Sequence, residues 1–285
     1  MGSSSWSHDF YAEREAVRTR KGVDAFAYHS RTVSKPRAEQ TVHPQMNPLG
    51  VTRESRDSDA HPNSVAIGVI LDETGSMQDT PRIMREALPK LMGLIMSKGV
   101  QDPQILFGAV GDETNREVAS LQIGQFESGV EMADDLGKIF MEGKGGGSNH
   151  ESYQNAIYFF ARHTSIDCFE KRARKGFLFI VGDELPYDSV SSNEVKSLMG
   201  DTLEANIPTT DIVKECQAKY EVYYVIPRGT SNFNSTMVHD AWRSLLGADK
   251  VILLNDAAGI CDIIATAVSG QAPAATVTEA KSVRL

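Results

Sequence analysis

Asp72, Thr74 and Ser76 place a carboxylate and two hydroxyls at alternate positions within Asp72-Glu-Thr-Gly-Ser-Met77. They follow directly on Val65-Ala-Ile-Gly-Val-Ile-Leu71, an apolar, β-branched run that reads as a buried parallel strand. A spacing of two, on a loop at the carboxyl end of a strand, lets three oxygen side chains converge on one point. Gly75 gives the backbone the freedom to turn there. Oxygen-only donors with little charge suit a hard cation such as Mg²⁺, which keeps several waters, with Mn²⁺ or Ca²⁺ as alternatives. A second buried-strand pattern, Phe177-Leu-Phe-Ile-Val-Gly182, ends in Asp183-Glu184. Between the two lies Gly143-Lys-Gly-Gly-Gly-Ser-Asn-His-Glu-Ser152, a glycine-rich loop that opens a helix expected over 153–163.

The Asp-x-Thr-x-Ser pattern resembles the metal-ion-dependent adhesion site of von Willebrand factor A domains. By motif order the resemblance covers about residues 63–270. That family supplies a further ligand from a second loop just before a helix, and a final Asp after the next central strand. The matching positions here are the 143–152 loop and Asp183. The resemblance therefore implies a Mg²⁺ site built from Asp72, Thr74, Ser76, Asp183 and one donor of the glycine loop. The family usually offers a Thr from that loop, and this chain has no Thr between Thr114 and Thr164. Counting back from Ala156-Ile157, the nearest oxygen donor is Glu151, with Ser148 and Asn149 as rivals in or behind the coordination shell.

Glu151 has a purely structural alternative. Ser148-x-x-Glu151 fits a capping box, in which the Glu folds back onto the cap amide and needs no metal, and the helix dipole favours a carboxylate in the first turn. Asp112, in Gly111-Asp-Glu113 at another strand end, reads as a turn former or as a group holding a metal-bound water. Gly145-Gly-Gly147 could cradle a phosphate, although the Lys-Ser/Thr ending of a P-loop is missing. Glu73 and Glu184 are expected to face solvent, opposite their Asp neighbours. His150 and His163 are expected as solvent or cap residues, since an all-oxygen site does not need imidazole.

In the adhesion-site family an open coordination position on the metal is filled by a carboxylate of a partner protein. The resemblance thus implies a metal-dependent protein-interaction module, an adaptor or scaffold and not an enzyme, akin to intracellular proteins of bacteria and their viruses. Such proteins often accompany ATPases of the MoxR or chelatase type, which makes a MoxR-type ATPase system an expected partner. One alternative is a self-assembling structural subunit whose N-terminal arm docks on a neighbour. Another is a Mg²⁺-dependent phosphohydrolase of the haloacid dehalogenase type, but those begin D-x-D, and Thr74 cannot act as a carboxyl acid. No Ser/His/Asp or Cys/His set is evident.

The elements that must position these residues alternate between strand and helix. Strands are expected at 65–71, 104–110, 177–182, 221–227 and 251–254, with 117–123 as an antiparallel edge. Helices are expected at 80–96, 130–141, 153–163, 194–199, 212–220, 236–246 and 258–269. Thr80 is the expected N-cap of the first, and Pro89 predicts a kink or a late start there. The fold class is α/β: a doubly wound, mostly parallel sheet with one antiparallel edge strand and helices on both faces, plus an N-terminal extension. The organisation expected is an arm over 1–60, the domain over 61–270 and a tail over 271–285. The arm carries nine Lys/Arg against eight Asp/Glu, so the negative charge lies on the remainder, with 20 Lys/Arg against 30 Asp/Glu. Its aromatics Trp6, Phe10, Tyr11, Phe26 and Tyr28 are expected to dock, because wholly disordered segments are poor in aromatics. The negative charge disfavours nonspecific binding to nucleic acid or acidic membranes, and no apolar run approaches the ~20 residues of a membrane span. Cys168, Cys216 and Cys261 read as reduced core residues, and the first residues match neither a signal peptide nor a myristoylation pattern, so the cytoplasm is the expected compartment.

Overall fold

The computed structural model describes residues 6–22, 26–142 and 148–271. Six strands make the main sheet: β1 (Val65–Asp72), β2 (Pro103–Val110), β3 (Leu121–Ile123), β4 (Gly176–Val181), β5 (Tyr220–Pro227) and β6 (Val251–Leu254). Their spatial order is β6-β5-β4-β1-β2-β3. Every neighbouring pair is parallel except β2 and β3, where Val110 lies opposite Leu121 in antiparallel register. The fold is thus doubly wound α/β with one antiparallel edge. Strand order runs outward in both directions from the β4–β1 pair, and the crevice beyond the carboxyl ends of such a pair is where open sheets bind ligands. Asp72 ends β1 and Asp183 follows β4 across that crevice, since Leu71 is paired with Val181.

β1, β2 and β4 are buried along their whole length, which explains their unbroken apolar sequences. Side chains alternate between two cores. Val65, Ile67, Val69 and Leu71 join Met84, Leu88, Leu91 and Ile264 on one face. Ala66 and Ile70 meet Phe159, Phe160, Ile212 and Trp242 on the other. Gly68 interrupts the β-branched run for a reason: a Cβ there would overlap the Phe160 ring.

The helix expected over 80–96 is broken at its proline. α3 (Thr80–Ala87) gives way to a 3₁₀ turn at Leu88–Lys90, and α4 (Leu91–Ser97) resumes, because Pro89 has no N–H for the helical ladder. Asp79, not Thr80, takes the N-cap position of α3, and no side chain caps it. Beyond a single helical turn at Asp167–Glu170, the longer helices that follow are α5 (Glu131–Lys138), α6 (Tyr153–Arg162), α7 (Ser192–Met199), α8 (Thr209–Lys219), α9 (Thr236–Leu246) and α10 (Ile260–Val268). Among the described residues no helix is long and apolar enough to cross a membrane.

The N-terminal extension contributes helices α1 (His8–Arg20) and α2 (Ala27–Thr32). Phe26 and Met46 are fully buried in the first core, and half-buried Trp6 packs against it. Trp6 also stacks on Tyr11, with ring centroids 5.3 Å apart. Phe10 does not dock as expected: it stays 53% exposed at the edge of an open groove that it lines with Arg85, Val130 and Ala133. Arg53–Ser55 pairs in parallel with Thr164–Ile166, so the segment before His61 is woven into the domain. The three cysteines are free and buried. The tail 272–285 and the glycine run Gly145–Gly147, with its phosphate-cradle reading, lie outside the described residues.

Candidate metal centre

Asp72 is fully buried and its carboxylate is held by three donors. Oδ1 accepts from the Thr74 amide at 2.9 Å and the Thr74 hydroxyl at 2.6 Å. Oδ2 accepts a short hydrogen bond from the Tyr153 hydroxyl at the start of α6. Thr74 Oγ1 is also 3.2 Å from Ser76 Oγ, so the Asp-x-Thr-x-Ser loop gathers its three oxygen side chains as its spacing predicts. Ser76 is anchored from another loop, since its carbonyl accepts from Ser231 N at 3.0 Å after β5. Asp183 is buried beside Asp72, and its Oδ2 accepts from Asn232 N at 2.7 Å.

Glu151 is 1% exposed and lies before α6, in a two-residue strand, His150–Glu151. That strand pairs in parallel with Leu185–Pro186, which zips the glycine loop to the segment leaving β4. The capping box does not form. Ser152 is the N-cap residue of α6 and makes no side-chain cap bond; its hydroxyl accepts from Glu113 N at 3.0 Å instead. Ser148 and Asn149 are exposed. Ser148 Oγ donates to His150 O at 3.0 Å, and Asn149 turns the loop at φ +54°. Both therefore serve the loop, and of the three rivals Glu151 alone enters the buried rim.

Asp112 is buried and fully engaged as a turn former. Its oxygens accept from Thr114 N, from Asn115 Nδ2, and from Tyr187 OH at 3.0–3.1 Å. His150 stacks on Tyr187, and His163 bonds Asp201 at 2.7 Å, away from the rim. Two expectations are overturned. Glu73 is 1% exposed because the 139–142 segment covers the end of β1; Gln122 bonds both Glu73 and the Phe140 backbone there. Glu184 is 9% exposed and turns toward Ser76 and Glu151. Strict alternation sends both outward, but alternation applies within a strand, and here the chain is already leaving one.

The electrostatics follow from burial. Burial pushes Asp72 up to about 7, with Asp183 adding to the rise while Thr74 and Tyr153 oppose it. Burial, then Asp72 and Glu184, push Glu151 up to about 11. Glu184 is raised by burial and by Asp183. No Lys or Arg figures among the strongest influences on these three acids. Of six buried side-chain atoms without a hydrogen-bond partner among the described residues, two, Glu151 Oε2 and Asp183 Oδ1, belong to this rim, a condition that native proteins rarely leave uncompensated. Among the described residues no three His, Cys, Asp or Glu side chains group as ligands of one ion. A cation here would accordingly draw on the Thr74 and Ser76 hydroxyls and on water beside the carboxylates, a donor set that fits Mg²⁺.

Sequence reasoning missed Tyr153 and Glu184. The only signal for Glu184 was the Val-Gly-Asp-Glu that recurs at two strand ends, 110–113 and 181–184. No family model matches the chain, and no curated protein matches it in sequence. Among solved structures it resembles the pilus adhesin SpaC from Lactobacillus rhamnosus GG in its open conformation, with a TM-score of 0.50 and 10% identity. That match covers 78% of this chain but only 31% of the adhesin. Proximal thread matrix protein 1 from the mussel byssus matches at a TM-score of 0.47 and 10% identity, over 72% of this chain and 47% of that one. At such identities the likeness concerns the fold alone.

Proposed function

We propose that the rim at the β4–β1 crevice binds a divalent cation, Mg²⁺ before others, and that the protein is a metal-dependent protein-interaction module of the von Willebrand factor A type. The observation that carries this reading is the pair of buried, unpartnered oxygens, Glu151 Oε2 and Asp183 Oδ1, at a rim where the strongest charged neighbours of Glu151 are other acids. Buried polar groups left unpaired are costly, and an ion removes that cost. Asp72, Thr74, Ser76, Glu151 and Asp183 would hold it, directly or through water. When bound, it supplies positive charge at an otherwise negative rim, to which an acidic residue of a protein partner is drawn. A MoxR-type ATPase system is the family-level candidate for that partner, in an adaptor or scaffold role.

The phosphohydrolase alternative has less support, because Thr74 stands where the general acid is needed and its hydroxyl is bonded to Asp72. A self-assembling subunit is the second reading, favoured by one observation: Phe10 remains exposed on the N-terminal helix beside docked Trp6. A cytoplasmic setting belongs to the same proposal, since all three cysteines are free and buried.

Calorimetric titration with Mg²⁺ and Mn²⁺ tests the reading. Wild-type protein should bind one ion, and Asp72→Ala should lose it while keeping its circular dichroism. An Asp72→Ala variant with unchanged metal affinity would overturn the proposal. Mg²⁺-dependent capture of a partner that Asp72→Ala also loses would extend it to the interaction.

A further inference from the structure

Glu184 has no place in the motif, yet the fold goes to some length to fix it. Its backbone is clamped on both sides by fully buried aromatic side chains. The Glu184 amide donates to Tyr224 OH at 3.1 Å and to Tyr153 OH at 3.4 Å. Its carbonyl accepts from Tyr224 OH at 3.0 Å and from Trp242 Nε1 at 2.9 Å. The next residue starts the short ladder with His150–Glu151, and Leu185 N donates to Asn149 O at 3.1 Å. Clamp and ladder together set the Glu184 carboxyl beside Glu151 and the Ser76 hydroxyl, both of which interact with it.

Exposure ranks the four acids of the rim. Asp72 and Asp183 are at 0%, Glu151 at 1% and Glu184 at 9%. Asp72 has donors on both oxygens, and Asp183 is tied to Asn232. Glu184 is thus the outermost of the four, and the Ser76 it adjoins is itself partly exposed.

We infer that Glu184 is a built-in carboxylate for the cation site, holding the outward coordination place that an incoming acidic residue would need, so that a partner must displace it. The inference rests on the divalent-cation reading proposed above. Charge supports it: Asp72, Asp183, Glu151 and Glu184, meeting a divalent ion directly or through water, outweigh its charge when ionised, which opposes a fifth carboxylate until Glu184 moves away.

The full chain loaded with Mn²⁺ provides the test. Glu184→Gln removes the charge and keeps the shape; Glu184→Ala serves as a second variant, and the clamp on the main chain should preserve the fold in both. Mn²⁺ affinity by calorimetry should fall roughly ten-fold. Water-proton relaxation by the bound Mn²⁺ should rise in Glu184→Ala as water takes the vacated place. Acetate, the probe for a partner carboxylate, should bind the loaded variants roughly ten-fold or more tighter than wild type. Unchanged relaxation and acetate affinity in both variants, with Mn²⁺ still lost in Asp72→Ala, would remove the role of Glu184 and leave the metal reading standing. Retention of Mn²⁺ by Asp72→Ala would overturn the metal reading and this inference with it.

Discussion

Stripping divalent ions from the protein should make its stability fall as pH rises through neutrality. In the folded state Asp72 is raised from 3.8 to about 7 by burial. Between those values the folded chain keeps a proton that the unfolded chain gives up, so unfolding free energy drops by about 1.4 kcal/mol per pH unit. The stability is fully present below the unfolded pKa and is lost as pH climbs to the folded one. From pH 5 to pH 7 this amounts to about 3 kcal/mol. Glu151, pushed up to about 11, adds its own loss over the same range and carries the slope beyond pH 8. For a chain of this size the loss lowers the melting midpoint by roughly 6–12 °C. Bound Mg²⁺ displaces those protons, so it should stabilise more at pH 8 than at pH 5; at about a hundred-fold excess over its Kd the gain at pH 8 is about 2.7 kcal/mol. The assay is thermal melting with EDTA or Mg²⁺ at pH 5, 6, 7 and 8, with Asp72→Asn as the control that removes one titrating group. Identical pH slopes for chelated wild type and Asp72→Asn, or Mg²⁺ stabilisation no greater at pH 8 than at pH 5, would refute the reasoning.

Glu151→Thr should weaken Mn²⁺ binding roughly ten-fold without destabilising the metal-free protein, since no cap bond is lost and a buried unpaired oxygen disappears; unchanged affinity with a loss of about 1 kcal/mol would restore the capping role. Gly182→Ala should cost about 1–3 kcal/mol in denaturant melts and weaken Mn²⁺ binding, because the added Cβ would meet Tyr153 Cζ at 2.7 Å and push the hydroxyl off Asp72. Trp6→Ala should lose about 1 kcal/mol, half the value of a fully buried ring, with metal affinity unchanged. An unaltered melt would make the docking of Trp6 inconsequential.

The sheet was legible because β1, β2 and β4 are buried on both faces, which leaves uninterrupted apolar runs between turn residues. Pro89 marked its helix break through a missing donor that no packing can replace. Asp72, Thr74 and Ser76 were legible for a different reason: the residues that must converge are two apart, so local geometry suffices. Glu151 was half-legible. Its position before a helix fits both a cap and a ligand, and only the distant strand at Leu185–Pro186, which removes it from the helix, separates the two. Tyr153, Glu73 and Glu184 were not legible. Tyr153 reads as one more aromatic on a buried helix face until Asp72, 81 residues earlier, is set against its hydroxyl. Glu73 and Glu184 are hidden by segments that fold over strand ends, a tertiary event without periodic trace. The extension was legible in part: Phe26 was expected to dock and does, whereas Met46 reaches the core from a segment too polar to show it.

Trp242 makes the rim optically visible. Its ring stacks on Tyr224 at 3.8 Å with 13° between the planes, and its indole N–H is bonded to the Glu184 carbonyl. The chain has one other tryptophan, Trp6, which sits half-buried on the N-terminal segment. A Trp6→Phe protein would therefore carry a single indole, locked in an asymmetric aromatic cluster directly beneath the acids of the crevice. Its near-ultraviolet circular dichroism and fluorescence would report on the main chain at Glu184 without any added label. Rearrangement of that segment on ion or partner binding could then be timed by stopped-flow mixing.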